Sequence, residues 1–231
     1  MLDISLYSII GCILLVLATI FLVIPSLYWG LSARIQKRGH TVGLILLLWA
    51  LFQSTLSLNR WYMDRNGGVF HHAYPYFLMM IALSLLYFTP RGREFSSNVH
   101  PRYLLLIQFT RLFWMLIAWS LIDAGQMPDG IFPLGIGMEL LTWIPCLYLY
   151  IKFESTSKYI AFGVHGWCIA VTVIELIIGY GSIPSPFQHW SMLQPNFAFQ
   201  HFPFSLIPSV LFPIYLYGSI QGMLFHWLNR K

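Results

Sequence analysis

The chain has 231 residues, of which 58% are hydrophobic and only 9% charged, with a mean hydropathy of +0.68. A soluble domain needs about 25% charged residues to cover itself against water, so a water-soluble globule of this size is excluded and the surface must face lipid. The formal charge of +5 does not indicate nucleic acid, because the 13 Lys and Arg residues are scattered between apolar runs and not gathered on one face.

A helix needs about 20 mostly apolar residues to cross the hydrocarbon core. Seven segments qualify in chain order: Leu6–Leu31, Thr41–Asn59, Tyr74–Thr89, Tyr103–Ile122, Leu134–Phe153, Tyr159–Gly181 and Phe204–Leu228. The third is the shortest. The first follows a start with Asp3 and no Lys or Arg, and its apolar run exceeds a signal-peptide core of about 7–15 residues, so it is expected to stay as a membrane helix. Pro25, Pro145, Pro208 and Pro213 fall inside segments, where neighbouring helices can satisfy the freed carbonyls. Residues 1–231 thus read as one all-α integral membrane domain, a bundle of seven transmembrane helices.

Orientation follows from the basic residues. With the N-terminus outside, the cytoplasmic connections and tail hold Arg34, Lys37, Arg38, Arg91, Arg93, Arg102, Lys152, Lys158, Arg230 and Lys231. The outer side holds only Arg60 and Arg65. This asymmetry places the C-terminus in the cytoplasm.

One connection differs from the rest. Residues 182–203 carry no formal charge, four prolines and five Phe or Trp residues. The prolines forbid a continuous helix, and the aromatics suit the membrane interface. An ordered outer lid and a simple aromatic belt are equally consistent with it.

Charged residues inside membrane helices are costly, and by default they are paired or functional. Arg111, Asp123, Glu139 and Glu175 are such residues, and His165 joins them. At about 1.5 Å rise per residue, Arg111 and Glu139 come within about 6 Å of the same depth on consecutive antiparallel segments, so they are expected to pair. Gln108, three residues before Arg111, shares its face. Glu175 and Asp123 lie in the outer half, together with His71, His72, His189 and His201. These positions suggest a polar cavity open to the outside, lined by Glu139 and Glu175, with Asp123 as a further candidate, and capped by Gln194, Pro195 and Asn196. A buried structural ion pair is the plain alternative.

Other chemistry lacks its signals. No HxxxH, HExxH or CxxC spacing occurs, so no metal site is expected. His165 and His226 lie towards the cytoplasmic side, a weak pointer to haem. The last segment has no lysine before Lys231, which rejects a retinal Schiff base. No nucleophile elbow, phosphate loop or dinucleotide fingerprint occurs, and no cofactor is expected. Cys12, Cys146 and Cys168 sit in apolar segments and read as small buried hydrophobes.

The stretch SIPSPFQHWSMLQPNFAFQHFPFSLIPSVLFP (182–213), with LYFTPRGREF (86–95) and the Gln108–Arg111 segment, resembles a family of uncharacterised bacterial multi-pass membrane proteins. The likeness covers roughly residues 85–213. GIGMELL with Glu139 stands where the family has an acidic residue after a glycine-rich turn, but the turn PDGIFPL departs from the more polar family turn. The resemblance implies a shared fold in the bacterial cytoplasmic membrane and a shared outer loop. It implies no activity.

The expected function is binding or transport of a small lipophilic or cationic molecule in the outer cavity, with membrane lipids as partners. A membrane enzyme acting on a lipid or isoprenoid through Glu139 or Glu175, and a structural or accessory subunit, are the alternatives.

Overall fold

A computed structural model of the chain describes residues 4–28, 33–63, 68–90, 93, 99, 101–129, 132–185, 188–191 and 193–229. The helices are α1 (Leu6–Tyr28), α2 (Ala33–Leu58), α3 (Gly68–Phe88), α4 (Pro101–Phe109), α5 (Arg111–Asp123), α6 (Phe132–Ile151), α7 (Lys158–Gly181) and α8 (Phe212–Asn229). A helix stands within each of the seven apolar segments. Among the described residues, five helical stretches are long and apolar enough to cross a membrane: 6–23, 39–58, 101–123, 158–181 and 207–226. Shorter apolar helices run over 73–85 and 135–151. The protein is therefore a helical membrane protein. Leu14, Leu48, Phe77, Leu116, Ile144 and Ile177 project outwards, more than half exposed, as a lipid-facing belt requires. Of the residues that set the orientation, Arg65, Arg91, Arg230 and Lys231 lie outside the described residues, as do the side chains of Arg34, Lys37 and Arg38.

The third helix is longer than its sequence segment, 21 residues with Pro75 inside. The fourth segment departs more. It is one span by hydropathy but breaks at Thr110 into α4 and α5. No proline or glycine causes this. The Thr110 hydroxyl donates to the Ile107 carbonyl at 2.7 Å, and its own N–H also turns back to Ile107. A hydroxyl competing for backbone carbonyls tightens the turn. The break falls one residue before Arg111.

The last segment is the axis of the bundle. In its span 83% of residues are buried, against 28–50% in the other four. It opens with a π-helical turn, Ile207–Leu211, before α8. Pro213 has no N–H to offer the Ser209 carbonyl four residues back. The indole of Trp49 on α2 donates to that carbonyl instead, at 3.0 Å. This satisfies in protein a group that lipid could not. The most extensive helix pair is α7 against α8.

The loop at 182–203 folds back onto the bundle; residues 186, 187 and 192 within it lie outside the described residues. Its anchor is the end of α5. Gly125, at φ +68, lets the Gln126 N–H reach the Leu121 carbonyl and its own N–H reach Ile122. That closes the helix in a Schellman turn. The Gln126 carbonyl then accepts the N–H groups of both Phe197 and Ala198. Phe199 drops into the core, 1% exposed, against Trp114 and Phe212 at 6.3 Å each between ring centres. A side chain on Gly179 would overlap the Phe199 ring, so glycine is required there for close approach.

Gly125→Ala is expected to lower the unfolding free energy by about 1 kcal/mol, because an L-residue pays for positive φ. Chemical denaturation in detergent, followed by tryptophan fluorescence, measures it.

Candidate functional site

The centre of the bundle holds a buried ionic cluster. Arg111, at the start of α5, is 1% exposed, and Glu139 on α6 and Glu175 on α7 are 2% and 3% exposed. The helix break at Thr110 precedes the arginine, and each guanidinium edge meets a different helix. Arg111 Nη1 bonds Glu139 Oε1 at 2.5 Å and lies 3.7 Å from Glu175 Oε2. Nε donates to Gln108 Oε1 at 2.9 Å. Nη2 donates to the Thr172 hydroxyl and reaches the Cys168 carbonyl. The ring of Tyr215 on α8 lies 4.6 Å from the guanidinium carbon, a cation–π contact. Gln108 Nε2 donates on to the Tyr215 carbonyl at 3.1 Å and to the Ser219 hydroxyl at 3.3 Å.

The acids outnumber the base. One guanidinium faces two carboxyl groups. Glu139 Oε2 and Glu175 Oε2 are buried without a hydrogen-bond donor. A charge taken out of water needs both a partner and hydrogen bonds. Arg111 supplies these for one carboxylate and only a long contact for the other.

The structure thus unites Gln108, Arg111, Glu139 and Glu175 and puts the other candidates elsewhere. The carboxyls are enclosed in this conformation, and Glu175 lies seven residues, about 10 Å, below Ser182, where the loop begins. Asp123 is exposed at the end of α5. Gln194 donates to the Ile122 and Met127 carbonyls, and Asn196 to the Gly179 carbonyl while its Oδ1 accepts the Phe199 N–H. Both pin the loop by backbone contacts. His165 lies ten residues before Glu175, about 15 Å along α7. Its ring packs 5.7 Å from that of His226, and its two nitrogens are buried without hydrogen-bond partners. Gly222 makes room for it. His71 stacks on Trp61 and His189 is exposed, while the side chain of His72 lies outside the described residues. No group of three or more His, Cys, Asp or Glu residues able to hold a metal occurs among the described residues. The Cys146 and Cys168 thiols touch at 3.3 Å, both buried. Thr172 and Tyr215 were not evident beforehand. The spacing of Cys168, Thr172 and Glu175 along one helical face was the available signal.

Cavities occur among the described residues. An apolar groove of about 370 Å³ lies between α3 and α7, lined by Tyr76, Phe77, Val173, Leu176, Ile177 and Tyr180. Leu176 adjoins Glu175 in the chain. A second cavity, of about 240 Å³, sits at the loop end among Ile4, Leu58, Arg60, Met63, His201 and Phe202. Arg60 caps α2 at φ +60, a left-handed position that costs a non-glycine residue about 1–2 kcal/mol. Burial holds the His201 imidazole below its ordinary range, the Phe197 carbonyl on Nδ1 opposes this, and nearby Arg60 adds to it.

No family model matches the chain, and neither the curated proteins nor the solved structures contain a significant match to it.

Removing Arg111 leaves two buried acids uncompensated. Arg111→Gln is expected to cost about 3–5 kcal/mol of stability. Glu175→Gln removes the second acid beside Glu139 and supplies an amide donor, so it is expected to be neutral or stabilising. Denaturation of the two variants side by side tests the charge count. For His201 the folded value lies below the unfolded one, so its contribution is present above about pH 6.5 and is lost as pH falls through the folded value. The unfolding midpoint is expected to drop on acidification in this window, and less so in His201→Gln.

Proposed function

We propose that the protein binds a small lipophilic cation inside the membrane and carries it, with the surplus carboxyl of the Glu139–Glu175 pair as its counter-charge. The supporting observation is the imbalance of one guanidinium against two enclosed carboxyls with donorless oxygens. An intramembrane acid without a full partner is the natural seat for a cation that has left its water behind. The groove between α3 and α7 would take the apolar part of such a molecule at the level of Glu175. In this proposal the N-terminus and the 182–203 loop face outwards, the C-terminus faces the cytoplasm, all seven segments cross, and the membrane is the bacterial cytoplasmic one that the loop pattern suggests.

A structural role for the cluster is the second reading. It is favoured by the guanidinium, which joins α5, α6, α7 and α8 with its donors engaged.

Tetraphenylphosphonium and tetraphenylborate have one shape and opposite charge. The phosphonium is expected to raise the unfolding midpoint saturably in neutral detergent, the borate is not, and Glu175→Gln is expected to weaken the effect at least tenfold. Equal responses to both ions, or an unchanged response in Glu175→Gln, would leave the structural reading.

A further inference from the structure

We propose that the 240 Å³ cavity at the loop end is a binding site for a single-chain amphiphile with an anionic head, held by Arg60 and His201 over apolar walls. The site is independent of the ionic cluster and of the cation it is proposed to bind.

The first argument is composition. The walls come from the start of the chain, the end of α2 with the turn after it, and the loop: Ile4, Ile9, Leu58, Met63 and Phe202 are apolar, and Ser57 adds a hydroxyl. Among the described lining residues, Arg60 and His201 are the ionisable ones, and both carry or gain positive charge. Both border the same cavity. A pocket with a cationic rim and an apolar interior complements an anion that carries a chain.

The second argument is the position of Arg60. The residue after a helix end in the left-handed conformation is usually glycine or asparagine. At Arg60 the N–H caps the Ser57 carbonyl and the carbonyl accepts from Met63. The backbone alone would be served better by glycine. The turn therefore does not explain the arginine, and its side chain borders the cavity.

The third argument is the tautomer of His201. A carbonyl can only accept, so Nδ1, at 2.9 Å from the Phe197 oxygen, carries hydrogen. In the neutral ring Nε2 then presents a lone pair, which repels an anion. Protonation turns the same atom into a charged donor. Anion binding and uptake of one proton by His201 are thus linked, and affinity rises as pH falls.

The test uses decanesulfonate, which stays ionised across the pH range, at concentrations below micelle formation, with the full chain in an uncharged maltoside detergent. Decanesulfonate is expected to raise the unfolding midpoint saturably, and decyltrimethylammonium is not. Methanesulfonate, the head without the chain, is expected to have no effect; an equal effect would show a free-anion site and overturn the amphiphile. Arg60→Gly is expected to keep or raise the midpoint without ligand while weakening decanesulfonate at least tenfold. Unaltered binding in that variant would also overturn the proposal. Affinity is expected to be severalfold greater at pH 5.5 than at pH 7.5, and this difference is expected to vanish in His201→Gln. A pH effect that persists in His201→Gln would remove the histidine from the site.

Discussion

A guanidinium cannot sit bare in hydrocarbon, and the architecture of this protein answers that constraint. Arg111 is 1% exposed, so each of its donors must be met by protein. No single helix can do this. Gln108 reaches it from α4, Glu139 from α6, Thr172 and Glu175 from α7, and the Tyr215 ring from α8. The positions of these helices are thereby tied to one side chain. Apolar faces packed in lipid gain little from mutual burial, because lipid tails are as apolar as they are. Polar contacts of this kind fix which helix goes where.

The same logic governs the backbone. Each proline in a span leaves a carbonyl without its usual donor, and each freed carbonyl needs another. In the central helix the indole of Trp49 serves Ser209, four residues before Pro213. Thr110 works in the opposite sense, adding a hydroxyl that competes for the Ile107 carbonyl and breaks the span. Its hydroxyl also meets those of Tyr215 and Thr19. The break is thus held from α1 and α8, next to the charge it positions.

The two ends of the bundle differ in character. At one end the loop forms a polar and aromatic cover: Gln126 receives two loop amides, Gln194 and Asn196 hold backbone carbonyls, and Phe199 fills the core beneath. At the other end Cys146, Cys168, His165 and His226 pack with Phe153 and Phe225. The central cluster lies between the two.

Sequence alone determined the solvent and where the apolar helices lie. Twenty apolar residues in a row have a local meaning that does not depend on the fold, and a helix stands within each of the seven segments. It also anticipated the Arg111–Glu139 pair and the place of Gln108, because depth and helical face follow from counting residues along antiparallel spans. Only the tertiary structure decided that Glu175 joins them, that Asp123, His165, Gln194 and Asn196 do not, and that the last segment is the axis. Which way a helix turns its polar face depends on its neighbours, and the break at Thr110 is one that no proline or glycine signals. The Arg60–His201 cavity lay beyond sequence for the same reason. Its two basic side chains are 141 positions apart, on a cap and a loop that meet only once the bundle has closed.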